Sequence, residues 1–362
     1  MRTFHLKLSG DYLNEKGDVD IGYCGEDIYA KAPFIQREFL LDQSPVKLGA
    51  AFWKELYSLE IKPHHISDAN GLVVIRPYVK PSTFAEGAEN LVVIGRAGVG
   101  TDKIDMDACT ENDVAVFNAP DSLTHSTASA AFVFIVALAK RLLEQEHMAR
   151  SGRWKNQSQL IGNDLIGQTL GIIGLGRISR ELIRLLAPFN MRILAYSRHC
   201  KSEEAAKINV TLVPDLETLL RESDYVSLHC GLNDKTRGLM GEREFKLMKK
   251  TAYFINTDRG DIVRQDALVR ALSEGWIAGA GLDVFDKEPL PADDPLIKLS
   301  NVILTPHWLP TTHRVVKIVQ QTIAEGMVRA AQGIIPDNIV NRAVLDRPGF
   351  QEKLARFSEN VI

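Results

Sequence analysis

Three ionisable residues of different kinds close apolar runs in the second half of the chain. They are Arg259 in INTDRGDIV, Glu288 in GLDVFDKEPLP and His307 in ILTPHWLP. Such runs read as buried strands, and in open α/β sheets ligands bind beyond the carboxyl ends of strands. Residues distant in sequence can therefore converge. A guanidinium holds a carboxylate through paired donors and polarises a neighbouring carbonyl. A histidine titrates near neutral pH and can give or take a proton. A carboxylate on its other ring nitrogen orients the imidazole and favours the charged form. Together the three suit reduction of a carbonyl beside a carboxylate, or the reverse oxidation, with a cofactor carrying the hydride. Each also has a plainer reading: Arg259 in an ion pair with Asp258 or Asp261, Glu288 solvated in an acidic, proline-rich loop, and His307 packed in the core.

A cofactor loop is legible upstream, in TLGIIGLGRISR, residues 169–180. It follows an apolar strand and opens a helix with Ile178, Leu182, Leu185 and Leu186 at helical spacing. Gly174 permits the tight turn, and Gly176 lets backbone amides approach a pyrophosphate, which the helix N-terminus also favours. Arg177 and Ile178 start that helix. The third glycine of the fingerprint is replaced by Ser179, a position that serves helix–strand packing and accepts a small side chain. A tight turn with no ligand remains the bland alternative. An acidic residue about 20 positions on marks NAD, whereas an arginine there accommodates a 2′-phosphate. Here the strand MRILAY ends in Ser197-Arg198-His199 with no acid at its tip. This favours NADP(H) over NAD(H), although Glu203 and Glu204 lie nearby and a solvated strand end would look the same.

The elements that must position these groups form two α/β series. With 362 residues the chain is too long for one ordinary core. Apolar residues at 45% and charged residues at 25% describe a globular protein, and a net charge of −3 disfavours nucleic acid or an anionic membrane as partner. Cys24, Cys109, Cys200 and Cys230 form no C-x-x-C pair, which points to a reducing cytoplasm without disulfides or a structural metal. The N-terminal residues show no signal peptide, and AFVFIVALA is too short to span a bilayer. LVVIR, LVVIG and VAVFN read as buried strands, followed by one long helix over 126–151 that stops at Gly152. TLGIIG, MRILAY, VTLV, YVSLH, AYFINT, AGAGLDVF and VILTPH supply a second set. A last helix over 312–332 returns the chain to the first domain. The expected architecture is two doubly wound parallel-sheet domains, a Rossmann nucleotide domain (122–312) inserted in a flavodoxin-like substrate domain (1–121 and 313–362). Residues 26–65 are the least legible, apart from a helix suggested by VKLGAAFWKELYSL.

The order GLGRI, NTDRG, GLDVFDKEPL, TPH resembles the D-isomer-specific 2-hydroxyacid dehydrogenase family, and RAGVGTDKID and NAPDSLTHSTAS are similar to its substrate loop and interdomain helix. The resemblance implies Arg259 as substrate-binding arginine, His307 as acid/base and Glu288 as its partner. It implies backbone amides of Val99 and Gly100 for the substrate carboxylate, and Asp283, Thr236, Cys230 and Thr257 beside the cofactor. YSRH resembles the NADPH-using glyoxylate and hydroxypyruvate reductase branch. GRAG resembles the phosphoglycerate dehydrogenase branch, so Arg76 and Arg96 are candidates for a distal anionic group on a small 2-keto or 2-hydroxy acid. The alternative is that Arg96 anchors its own loop and Arg76 pairs with a surface carboxylate. Trp308 borders the pocket, where the family commonly has a smaller residue. Family analogy implies a homodimer. A redox-sensing, corepressor-like scaffold and a formate or phosphite dehydrogenase on the same fold are the rival readings.

Overall fold

The computed structural model describes residues 1–198 and 200–360. His199, expected at the cofactor ribose, lies outside the described residues. The chain divides into two compact units, residues 1–123 with 312–362, and residues 124–311.

The first unit is built on five parallel strands, β1 (Phe4–Leu8), β2 (Ile35–Phe39), β3 (Gly71–Val74), β4 (Val93–Arg96) and β5 (Ala115–Asn118). They lie in the order β2-β1-β3-β4-β5, the flavodoxin-like order. GLVV and AVFN are buried throughout, as expected of strands covered on both faces. β1 and β2 escape a reading by apolar runs. FHLKL carries His5 and Lys7, and IQREF is an edge strand whose central residues are exposed charges and amides that blunt edge pairing. The helix His313–Ala331 contributes Val315, Val319, Ile323 and Met327 to one core with Phe4, Leu6 and Phe117. The single helix expected over VKLGAAFWKELYSL is instead two short ones, Pro45–Leu48 and Ala50–Glu55. They break at Gly49, whose φ of 53° is open to glycine at little cost.

The second unit holds seven parallel strands, β6 (Thr169–Ile173), β7 (Arg192–Tyr196), β8 (Val210–Leu212), β9 (Tyr225–Leu228), β10 (Tyr253–Asn256), β11 (Gly279–Leu282) and β12 (Val302–Leu304). Their order, β12-β11-β10-β9-β6-β7-β8, is the Rossmann order with one strand added at an edge. The sheet changes direction between β6 and β9, so the loops after β6, β9, β10, β11 and β12 share the carboxyl edge where such sheets bind ligands. The long helix expected over 126–151 is two, Thr124–Ala139 and Leu142–Arg150, meeting at 61°. Arg141 turns the chain at φ 51°. The first helix buries Ala131, Phe134 and Ile135, while the second buries nothing, so the break falls where the apolar face ends. No single helix among the described residues is long and apolar enough to cross a membrane, although this bent pair passes by length and composition.

Candidate active site

The imidazole and the carboxylate meet. His307 Nδ1 lies 2.8 Å from Glu288 Oε2, and Glu288 Oε1 accepts the Phe285 N–H at 3.1 Å. A carboxylate partner makes Nδ1 the donor, so proton exchange with a ligand falls to Nε2. His307 has a φ of 52°, the left-handed region that a residue with a Cβ rarely adopts. Its surroundings hold it there. Asp283 Oδ1 accepts from Thr305 Oγ1 at 2.5 Å and from the N–H groups of Trp308 and Leu309 at 3.1 Å each, so the loop 305–309 wraps one buried carboxylate. Burial pushes the Asp283 carboxyl above the usual carboxylate range despite these donors. The resemblance gives Asp283 a cofactor contact, and its part in fixing the His307 loop was not legible in the sequence.

Arg259 is tied to the same region by its neighbour. A Cβ on Gly260 would stand 1.9 Å from the Phe285 carbonyl carbon, so only glycine lets the loop after β10 lie directly against the loop that carries Glu288. Buried Asn256 shapes the turn, donating to the Arg259 carbonyl at 3.0 Å and accepting the Asp258 N–H at 3.0 Å. Arg259 Nη1 donates to the Asp258 carbonyl oxygen at 2.7 Å, and Asp261 pairs with Arg237 at 2.9 Å.

The glycine loop has the shape a dinucleotide needs. Gly174 has a φ of 94°, and a Cβ there would meet the His229 carbonyl oxygen at 2.4 Å. Gly176 is different: a Cβ there would meet nothing within 4 Å. The chain's own packing does not require that glycine, and the space it leaves lies at the N-terminus of the helix Arg177–Leu186, which favours an anion. Ser179 is fully buried and donates its hydroxyl to the Gly176 carbonyl oxygen at 3.0 Å, so the added oxygen is satisfied locally. Thr257 Oγ1 is buried with no hydrogen-bond partner among the described residues. An open glycine, a helix N-terminus and an orphaned hydroxyl on one strand edge fit a nicotinamide dinucleotide.

The remaining residues serve the frame. Thr236 donates to the Gly231 carbonyl at 2.8 Å and accepts the Asn233 N–H at 2.8 Å, pinning the loop after β9. Cys230 in that loop is half-buried, and burial pushes its thiol to about 12. Ile178 packs in the unit's core and Arg177 is exposed. Ser197 is half-buried after β7, and exposed Arg198 lies close enough to Cys230 for its charge to act on the thiol. Trp308 is exposed. In the first unit, Arg76 Nη1 lies 3.4 Å from Asp11 Oδ2, a carboxylate with no exposed side-chain surface, rather than meeting a surface acid. Arg96 Nε donates to the Gly100 carbonyl at 2.8 Å and Nη1 to the Ala97 carbonyl, the anchoring alternative.

One cluster went unnoticed in the sequence. Asp42, His64 and His65 bring three ligand-type atoms within 4.8 Å of one another. The Lys62 N–H donates to His65 Nδ1 at 2.9 Å, which places the ring proton on Nε2, 2.8 Å from Asp42. This is a hydrogen-bonded pair capping a helix, and the adjacent histidines in PHHI were its only sequence signal.

Residues 132–308 match the family described as D-isomer specific 2-hydroxyacid dehydrogenase, NAD binding domain. Over 329 residues the chain is 39% identical to a glyoxylate reductase of Korarchaeum cryptofilum, covering 88% of this chain and 98% of the relative. It is 41% identical over 286 residues to a glyoxylate reductase of Thermococcus litoralis, covering 77% and 86%. The solved structure of the TT0316 protein of Thermus thermophilus shares the fold at a TM-score of 0.77 and 29% identity, covering 93% of this chain and 100% of that one.

Proposed function

The chain belongs to the D-isomer-specific 2-hydroxyacid dehydrogenase family, NAD(P)-dependent oxidoreductases of the CH–OH group, and we propose that it reduces a small 2-keto acid of the glyoxylate kind, using NADPH in preference to NADH. The observation that carries this reading is the 2.8 Å bond between His307 and Glu288 on the sheet edge that also holds the open glycine turn. Bound cofactor supplies the hydride. Arg259 holds the substrate carboxylate and polarises the keto oxygen; in the other unit, the backbone amides of Val99 and Gly100 are a candidate receptor for a substrate carboxylate. His307 delivers a proton from Nε2 to the oxygen that becomes the hydroxyl, while Glu288 keeps the ring in its donor orientation. Asp283 and Thr257 are assigned to the nicotinamide end, and Gly174, Gly176, Arg177 and Ile178 to the pyrophosphate.

The preference for NADPH rests on Ser197 and Arg198 at the tip of β7, where a carboxylate would repel a 2′-phosphate. The in-chain bonds of Arg76 and Arg96 favour a substrate without a distal anion over a doubly anionic one. Leu142, Trp154, Ile161 and Ile166 are exposed apolar residues in the stretch 142–166 that follows the helix break, and they support a homodimer through this stretch. Four free cysteines suit a reducing cytoplasm.

A panel of glyoxylate, hydroxypyruvate, 2-oxoglutarate, formate and phosphite, followed at 340 nm with each cofactor, tests the reading. Glyoxylate with NADPH should turn over fastest. Tight dinucleotide binding without turnover would support the scaffold reading, and cofactor reduction by formate or phosphite alone would support the other rival. His307→Ala should abolish reduction while dinucleotide binding persists.

A further inference from the structure

The loop after β4 accounts for its polar groups unevenly. The Ala97 carbonyl accepts from Arg96 Nη1, the Gly98 carbonyl from the Ala119 N–H at 3.0 Å, the Val99 carbonyl from Asn118 Nδ2 at 2.6 Å, and the Gly100 carbonyl from Arg96 Nε at 2.8 Å. All four acceptors are used. The donors are not: the N–H groups of Val99 and Gly100 have no protein acceptor among the described residues. Successive open amides of this kind make an anion-binding concavity. Gly98 shows how the arrangement is made, since a Cβ there would stand 2.4 Å from Arg96 Nη1. The guanidinium occupies the space that a side chain at Gly98 would take.

We propose that Arg96 and Asn118 are positioning residues, which turn the loop carbonyls away and so present the Val99 and Gly100 amides as a preformed receptor for the substrate carboxylate. This rests on the keto-acid reading above and deepens it. It assigns Arg96 to the part of the substrate shared by every 2-keto acid, and not to a distal anionic group. Two nitrogens of one rigid, planar guanidinium grip two carbonyls at a fixed spacing, which a flexible lysine with a single donor nitrogen does not preset. The receptor's strength comes from charge-assisted hydrogen bonds, which lose most of their value when misaligned.

The test compares Arg96→Gln, Arg96→Lys and Asn118→Ala with the unmodified enzyme, on glyoxylate and on doubly anionic 2-oxoglutarate, with NADPH affinity and Tm recorded for each. Misaligning one hydrogen bond to a charged group should raise KM about tenfold or more for both substrates by the same factor. The value of kcat should move far less than KM, the signature of lost ground-state binding, and NADPH affinity should hold. Lysine should fail to rescue, and Asn118→Ala should act in the same direction, which guards against an Arg96 variant that does not fold. If Arg96→Gln spares glyoxylate and penalises only 2-oxoglutarate, or if Arg96→Lys restores KM, Arg96 reads a distal charge and the proposal fails. If the unmodified enzyme reduces neither substrate, the functional reading fails instead, and calorimetric binding of oxalate to the same proteins decides the loop: weaker binding in the variants supports the receptor, and equal or absent binding overturns it.

Discussion

Two glycines in one turn should respond in opposite ways to the same added methyl group. Gly174 sits at φ 94°, and a Cβ there would lie 2.4 Å from the His229 carbonyl oxygen. The left-handed region costs a residue with a Cβ about 1–2 kcal/mol. Relieving the overlap moves backbone between β6 and β9, a cost of about 1–3 kcal/mol by analogy with overpacking. Gly174→Ala should therefore lose roughly 2–5 kcal/mol, or roughly 5–15 °C in Tm for a unit of this size. Gly176 sits at φ −94°, ψ −163°, which alanine adopts freely, and its Cβ would meet no protein atom within 4 Å. Gly176→Ala should leave Tm unchanged or raised slightly, because a less flexible unfolded chain adds about 0.4–1 kcal/mol. Its methyl group would instead stand where a pyrophosphate approaches the helix N-terminus. Displacing one hydrogen bond to a charged phosphate costs about 1.5–3 kcal/mol, so Kd for NADPH should rise roughly 10- to 150-fold. Thermal melting without cofactor and fluorescence titration with NADPH read the two effects separately. A Gly176→Ala protein that binds NADPH as tightly as the parent would refute the placement of the diphosphate.

Glu288→Gln should lower kcat about 10- to 100-fold in stopped-flow reduction of glyoxylate with NADPH affinity intact, because the ring loses its orienting carboxylate; an unchanged kcat would remove Glu288 from the reaction. Arg198→Ala should weaken NADPH about tenfold while NADH changes little, measured by titration of each cofactor. Burial holds His229 down at about 4, against about 6.5 in the unfolded chain. The unfolded state then takes up a proton that the native state refuses, so up to about 3 kcal/mol of stability should be lost as pH falls from about 6.5 to about 4. Denaturant titrations of His229→Gln should show a flatter slope across that window. The parent is expected to sediment as a dimer and a double Trp154→Glu, Ile161→Glu variant as a monomer; a parent that sediments as a monomer would refute the proposed dimer.

The strands that carry the proposed site could be found from the sequence because parallel strands covered on both faces are apolar from end to end. LVVIR, TLGIIG and AYFINT announce themselves in this way, and residues at their ends fall on one sheet edge whatever the loops do. That is why Arg259, Glu288, His307 and the glycine turn stand out in the sequence as candidates for one site. β1 and β2 obey a different rule. Lys7 is buried with its charge met by Glu38 and Asp68, and β2 is a polar edge, so neither shows an apolar run. The break at Arg141 was hidden because 124–150 has no glycine or proline, and the helix ends where its partner surface does. Only tertiary structure decided which bonds Asp283, Arg76 and Arg96 make. A side chain's type sets what it can bond to, but its partner is whatever the fold brings within about 3 Å: a neighbouring loop for Asp283, a buried acid for Arg76 and its own loop for Arg96.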